Sequence, residues 1–510
     1  MKRALISVFD KTGIVEFARE LEELGYEIIS TGGSFRKLKE AGVRVMEVED
    51  VTKFPEILDG RVKTLNPLIH GGILYRRDLE EDRATIEEME ISPIDIVVNN
   101  LYPFEETVKK EGVTEAEAIE NIDIGGPSMI RAAAKNFKFV TTIVDPKDYE
   151  LVLEELRLNG ETNLKTRKYL ARKVFNYTAY YDSLISNYFN ELEDIKFPDY
   201  LTLGFKGRTG LRYGENPHQE AAFYQEAKNT GGTLAGARQL HGKELSFNNI
   251  NDSNGALDAL KMFEEPTIVA VKHANPCGIA SGDNLLEAYI KAYECDPISI
   301  FGGIIAANRE IDLDVAEKIS EIFIEVVMAP SFTEEALELL TKKKNIRLLE
   351  IDDIMKKDYR ELDMKKVLGG FLVQDRDTVL FDSELETITD REPTEAEMAD
   401  MKFAWACVKA VKSNGVLLVK DRATVGIGLG EVNRVWAVEN AVERAGEKAV
   451  GAVLASDAFF PFKDSIEALA KAKVAAVIQP GGSIRDGEVI EEANKNKMAM
   501  VFTHMRHFKH

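Results

Sequence analysis

Residues 2–48 read KRALISVFDKTGIVEFARELEELGYEIISTGGSFRKLKEAGVRVMEV, and the fold of the amino-terminal half turns on this stretch. Ala4 to Phe9 is a short apolar run of strand length. Ile14, Phe17, Ala18, Leu21 and Leu24 then recur at the spacing that lines up side chains on one face of a helix. Tyr26 to Ser30 is a second strand, TGGS a tight turn and Phe35 to Ala41 a short helix, while Val43 to Val48 alternates as a strand should. Strands alternating with helices need crossover connections. These imply a parallel sheet with ligands beyond the carboxyl ends of its strands.

The pattern continues outward with a buried strand at Ile94 to Val98, a helix from about Pro127 and a strand at Phe139 to Val144. A long helical run from Lys165 to Phe189 closes this half. The segment IKFPDYLTLGFKGRTG breaks the rhythm with Pro, Gly and polar residues, which places a domain boundary near residue 200 and gives domains 1–199 and 200–510. The second half alternates too, with apolar runs at Thr267 to Val271, Ile298 to Ala307 and Ile324 to Ala329, and a helix over Glu395 to Lys412. Further strands are predicted at Gly415 to Lys420, Ala449 to Ser456 and Val474 to Gln479. The acidic, lysine-rich stretch from Thr341 to Lys366 reads as a solvated face.

A chain of 510 residues exceeds what one hydrophobic core organises, so two or three domains are expected. The net charge of −22 argues against non-specific nucleic-acid binding. It does not bear on small anions, because screening at physiological salt confines exposed charge to about 8 Å. Asp10 follows the first apolar run at once, which makes a poor signal peptide, and no run approaches the roughly 20 apolar residues of a membrane span. Cys277, Cys295 and Cys407 are far apart, with no CxxC pair, which fits a reducing cytosol and makes a thiolate zinc site improbable.

Four pieces of the first half suit phosphate and base chemistry. Thr31, Gly32, Gly33 and Ser34 lie between a strand and a helix, where free N–H groups attract anions. A plain turn with Ser34 as N-cap explains the same residues equally well. Arg61, Lys63 and Thr64 bring two cations and a hydroxyl into one loop. Asp123 precedes Gly125, Gly126 and a helix that carries Lys135, and Asn100 and Tyr102 follow a buried strand. In the second half, Lys272 and His273 end a strand, and Asn275-Pro276 is expected to force the turn. A cation beside the imidazole would disfavour its protonation, which suits a general base. The Pro-Cys turn loosely resembles that of zinc deaminases, but their second cysteine and HxE ligand set are missing, so no metal is predicted.

The words FDKTG, STGGS, GRVKTL, NLYPF and IDIGG…RAAAKN, then LRYGENPHQ, GKELSFNNIND, DPISIFGG, VKSNG, SDAFFPF, QPGGSIRD and MRHFKH, stand in one order along the whole chain. In this the sequence resembles the AICAR transformylase/IMP cyclohydrolase family. The resemblance implies an α/β protein: a methylglyoxal-synthase-like parallel-sheet domain followed by a transformylase region of two cytidine-deaminase-like subdomains. It implies de novo purine synthesis, with formyl transfer from the co-substrate 10-formyltetrahydrofolate to AICAR, then dehydrative closure of formyl-AICAR to IMP. A cytoplasmic homodimer with its transformylase sites at the subunit interface also follows from it.

By the same resemblance, Arg61, Lys63, Thr64, Asn100, Tyr102, Asp123 and Lys135 would line the nucleotide of the cyclohydrolase site, with Gly125 and Gly126 beside them. Ser7, Lys11 and Thr31 to Ser34 would hold or frame its phosphate. Lys63 and Lys135 suit charge stabilisation, and Asp123 and Tyr102 proton handling. Lys272, His273 and Asn414 would catalyse formyl transfer. Arg212, Tyr213, Asn249, Arg434, Phe459, Arg506 and His510 would contact nucleotide or folate. Where the family typically has histidine after KTL, this chain has Asn66, which cannot shuttle a proton near neutrality. Two rival readings follow: an amino-terminal nucleotide-sensing domain on a single-activity transformylase, or a decayed cyclohydrolase marked by Asn66.

Overall fold

Five short strands built from the apolar runs of the first half assemble side by side, all parallel. In the computed structural model, which describes residues 2–58, 60–227, 231–357 and 362–510, they are β1 (Lys2–Val8), β2 (Tyr26–Ser30), β3 (Val45–Glu47), β4 (Ile96–Asn100) and β5 (Thr141–Ile143). Their order across the sheet is β3-β2-β1-β4-β5. One face packs Ala4, Ile6 and Ile28 against Phe17, Leu21 and Leu38; the other packs Leu5, Ile29 and Val97 against Met129, Ile130 and Val174. Residues buried on both faces explain why β1, β2, β4 and β5 read as apolar runs, whereas β3, at the sheet edge, is half-buried and reads as alternation. The chain leaves β1 towards β2 on one side and reaches β4 on the other. The crevice between the ends of β1 and β4 is therefore a topological switch point, where such sheets take ligands.

Several boundaries differ from the sequence reading. Thr31 to Ser34 is no separate turn: Gly32 and Gly33 open the helix Gly32–Glu40. Only Val45–Glu47 of the third expected strand pairs, because a capping box between Glu47 and Asp50 starts a helix at Val48. The helix expected from Pro127 starts at Gly125 and ends at Lys135, and the long helix spans Leu164–Leu192.

The chain divides into two compact units, residues 1–206 with 226–228 and residues 207–225 with 229–510. The second unit holds a twelve-stranded mixed sheet whose two halves repeat one pattern. From its centre outward one half runs Asn275–Ser281, Thr267–Lys272, Ile304–Ala307, Val326–Ala329, Arg347–Glu350 and Arg238–His241. The other runs Ala423–Gly428, Val416–Lys420, Val453–Ser456, Ala476–Gln479, Ala499–Phe502 and Glu386–Thr387. The four central strands are antiparallel hairpins, and parallel strands flank them on each side. Alternation of strand and helix suggested crossovers; the hairpins were invisible because their turns lack the usual Asn-Gly signal.

Helices Phe247–Leu260 and Glu395–Val408 cover one face of this sheet with a single core that contains Trp405, while each half has its own core on the opposite face. The run from Ile298 pairs only at Ile304–Ala307. Residues 358–361 of the expected solvated stretch lie outside the described residues. Among the described residues no helix is long and apolar enough to cross a membrane.

Candidate active sites

A cavity of about 550 Å³ opens at the switch point of the first unit. Its lining includes Ser7, Lys11, Thr31, Gly32, Gly33, Ser34, Arg61, Lys63, Thr64, Asn100, Tyr102, Asp123, Gly125 and Gly126. Lys135 is not among the lining residues; it is exposed at the last position of its helix. Thr31 is the extended N-cap residue of helix Gly32–Glu40, and its side chain caps no N–H. Ser34 is not the cap. Its hydroxyl accepts from the Val8 N–H and donates to the Val8 carbonyl, both at 2.9 Å, which ties the helix to β1.

The first-turn N–H groups are thereby left for a ligand. Two ammonium groups attend them. A Cβ placed on Gly32 would lie 3.7 Å from Lys63 Nζ, and one on Gly33 would lie 3.7 Å from Lys11 Nζ. A helix N-terminus with two lysines is a strong attractor for a phosphate dianion. Arg61 forms an exposed ion pair with Glu120, itself a cavity residue.

Asp123 lines the same cavity. Its Oδ1 accepts the Gly126 N–H at 2.8 Å. Burial pushes its carboxyl above the usual range, opposed by N–H bonds from Gly126 and Tyr102 and by the Lys63 charge. Gly126 has no room for a side chain: a Cβ would meet Asp123 Oδ2 at 2.6 Å, Leu101 at 2.8 Å and Asn99 Oδ1 at 2.9 Å. Two tyrosines one turn apart on helix Leu164–Leu192 hold the loops around it. The Leu101 N–H donates to the Tyr177 hydroxyl at 3.1 Å, and the Asp123 N–H to that of Tyr181 at 2.9 Å. Burial pushes the Tyr181 phenol up to about 12, so it stays neutral.

Asn100 lines the cavity, but its amide is engaged by protein. Its Oδ1 accepts from the Phe9 and Asp10 N–H groups, and its Nδ2 donates to the Asp10 carbonyl. It shapes the Lys11 loop. Asn66 is the N-cap of helix Pro67–Leu74, accepting the Leu68 N–H at 2.9 Å, and lies outside the lining. Asn99 belongs to the segment expected at the ligand crevice without being an expected contact; its Nδ2 donates to the Ser7 carbonyl while its buried Oδ1 has no partner. Sequence reasoning missed Glu120, Tyr177 and Tyr181. Only the four-residue spacing of the two tyrosines signalled anything.

In the second unit, strand Thr267–Lys272 ends and strand Val416–Lys420 begins at the same edge of the sheet, as the antiparallel order requires. Strands Val453–Ser456 and Ala499–Phe502 end there too. Lys272, His273, Asn414, Arg434, Phe459, Arg506 and His510 therefore all belong to segments that emerge at one edge.

The turn is made by His273 and Ala274, with φ of 53° and 56°, and not by Asn275-Pro276. Pro276 lies instead in the returning strand at a bulge, where a missing N–H is tolerated. Each non-glycine residue held at such φ costs on the order of 1 kcal/mol or more. Lys272 Nζ donates to the Phe301 carbonyl at 2.7 Å, and the exposed His273 donates its N–H to Asp252 Oδ2 at 3.0 Å.

Two further candidates have their polar groups engaged by protein. Arg434 is buried. Its guanidinium is ion-paired with Asp457, donates to the Gly415 carbonyl and Ser456 hydroxyl, and reaches Asn414 Oδ1 at 2.8 Å, so it orients Asn414. Asn249 forms a reciprocal capping box with Ser246. The carboxyl-terminal segment is pinned: the His507 N–H donates to the Asp457 carbonyl and the Ser413 N–H to the Lys509 carbonyl. Phe459 is 40% exposed, and Arg506 and Arg212 are exposed over the rings of Phe508 and Tyr213. His510 is exposed beside Phe508. Among the described residues no group of three His, Cys, Asp or Glu is placed to hold a metal ion.

Comparison with known proteins finds two matching family models. Residues 13–128 match the MGS-like domain and residues 133–444 the AICARFT/IMPCHase bienzyme. The chain is 58% identical, over all of both chains, to the bifunctional purine biosynthesis protein PurH of a Thermoanaerobacter species. It is 56% identical to that of Caldicellulosiruptor saccharolyticus and 58% to that of Acetivibrio thermocellus, again over the full length of each.

Proposed function

Because the chain belongs to the AICARFT/IMPCHase bienzyme family, we propose that it performs the last two steps of IMP synthesis at two separate sites, cyclohydrolase in residues 1–199 and transformylase in residues 200–510. It is an enzyme with both activities; the full-length relatives carry the bifunctional name, which sets aside the single-activity alternatives. The observation that carries the cyclohydrolase reading is the pairing of Lys11 and Lys63 at the glycine-opened helix, in one cavity with a carboxyl whose pKa is raised.

In that cavity the nucleotide phosphate would bind the N–H groups of Gly32 and Gly33, with Lys11 neutralising it. Ring closure then joins the carboxamide nitrogen to the formyl carbon of the same molecule and expels water. Because both reactants are tethered, the site contributes mainly by selecting a reactive conformer. Lys63 stabilises charge that develops on the formyl oxygen, while Asp123 and Tyr102 move protons. Arg61, Thr64, Gly125 and Gly126 frame the base. Lys135 keeps the role that family resemblance gives it, to be tested by substitution.

In the second unit His273 takes the proton from the amine of AICAR as that nitrogen bonds to the formyl carbon. Lys272 stabilises the formyl oxygen and returns a proton to the leaving nitrogen, and Asn414 orients the carboxamide. Assistance of this kind is typically worth about 10²–10⁴ in rate. When bound, 10-formyltetrahydrofolate supplies the formyl group. A half-bare Phe459 ring and the exposed guanidinium groups of Arg212 and Arg506 fit a flat co-substrate with an anionic tail. Cytoplasmic placement and a homodimer with shared transformylase sites complete the reading, and sedimentation tests the dimer.

The decisive experiment supplies AICAR and 10-formyltetrahydrofolate and follows IMP. His273→Ala stops formyl transfer yet leaves closure of added formyl-AICAR intact, and Lys135→Ala does the reverse. Loss of both reactions in both folded variants overturns the two-site assignment.

A further inference from the structure

The two halves of the second unit present the same turn twice, and only one copy carries the Lys-His pair. Helices Phe247–Leu260 and Glu395–Val408 both begin with a capping box, Ser246 with Asn249 and Thr394 with Glu397. The sixth residue of each helix is an aspartate, Asp252 and Asp400. In the second copy Asp400 accepts the consecutive N–H groups of Asp421 and Arg422, at 2.9 and 2.8 Å, and these residues have φ of 53° and 55°. In the first copy Asp252 accepts the N–H of His273, which has the same backbone conformation. Even the preceding lysines match: Lys272 Nζ reaches the Phe301 carbonyl, and Lys420 Nζ the Val450 carbonyl at 3.0 Å.

We propose that Asp252 is a positioning residue for formyl transfer, fixing the His273 peptide so that its exposed imidazole points where Lys272 is already anchored. The inference rests on the reading of Lys272 and His273 as the catalytic pair. The first copy adds a second clamp that the other lacks. Asn275 Nδ2 donates to the His273 carbonyl at 2.9 Å, and the corresponding residue in the second copy is Ala423. The His273 residue is thus held at its N–H by Asp252 and at its carbonyl by Asn275, while its side chain stays accessible. A left-handed turn of two non-glycine residues relaxes unless its N–H groups are held, and relaxation swings the imidazole. The second copy shows that the aspartate clamp belongs to the scaffold; in the first, the scaffold delivers a reactive group.

The duplication supplies its own control. Asp252→Ala, Asp252→Asn, Asp400→Ala and His273→Ala are compared in the full-length enzyme. Asp252→Ala should lower kcat for formyl transfer roughly ten- to hundred-fold with the KM for AICAR nearly unchanged. Asp252→Asn, which keeps an acceptor oxygen, should restore most of it. Asp400→Ala should lower Tm at least as much as Asp252→Ala yet leave formyl transfer within about two-fold. Cyclisation of formyl-AICAR should be unchanged in all four. Transfer kept within two-fold by Asp252→Ala, or lost equally in Asp400→Ala, overturns the positioning role. Full transfer by His273→Ala would instead sink the underlying catalytic assignment.

Discussion

Arg434 ion-pairs with the fully buried carboxylate of Asp457 and, through its other terminal nitrogen, donates to the side-chain oxygen of Asn414. Asp457 also accepts from the Ser413 hydroxyl and the Gly415 N–H, so one buried anion organises the segment before strand Val416–Lys420. Asp457→Ala leaves Arg434 as an uncompensated buried charge. The expected loss is about 3–5 kcal/mol of stability, read from denaturant unfolding. A loss under about 1 kcal/mol would show that the pair does not organise this segment.

Gly126 lies where the walls of the first cavity leave no space for a methyl group. Gly126→Ala must push Asp123, Leu101 or Asn99 aside. Cyclisation of formyl-AICAR should fall about 100-fold or more, since misplacement of a catalytic group by roughly 1 Å has that effect. Formyl transfer should persist. Unimpaired cyclisation in this variant would remove Asp123 from the mechanism.

At the helix start Lys11 Nζ lies near Gly33 and Lys63 Nζ near Gly32. Lys11→Gln removes one charge-assisted contact with the phosphate, worth about 1.5–3 kcal/mol. The KM for formyl-AICAR should therefore rise by roughly ten-fold or more, with kcat little altered. Steady-state kinetics at two ionic strengths check it. A selective fall in kcat would move Lys11 from binding to chemistry.

Burial raises the Asp123 carboxyl above its ordinary range. A raised pKa means that the group protonates at higher pH than a solvated aspartate. The acid limb of kcat/KM for cyclisation should accordingly lie above the ordinary carboxylate range, with activity falling as pH drops through it. Asp123→Asn should abolish most activity and that limb together. An acid limb unchanged in the residual activity of Asp123→Asn would assign it to another group.

Much of the first unit was legible because its signals are local. Apolar runs, helical periodicity and glycine-opened helices specify β1 to β5 and the anion-attracting end of Gly32–Glu40 from neighbouring residues alone. The sequence also determined which loops carry cations, carboxylates and amides. It left undecided which of those groups remain available. Asn100 and Arg434 carry the chemistry of ligand contacts, yet their polar atoms close on Asp10 and Asp457.

Only the tertiary structure decided that allocation, because a hydrogen bond between residues far apart in the chain has no periodic trace. The same holds for the paired turns at His273 and Asp421. Each is held by an aspartate about twenty residues away, 21 in both cases, and the likeness emerges only when the two halves of the sheet are compared. Sequence order placed the reactive residue types, and long-range packing determined which of them face solvent.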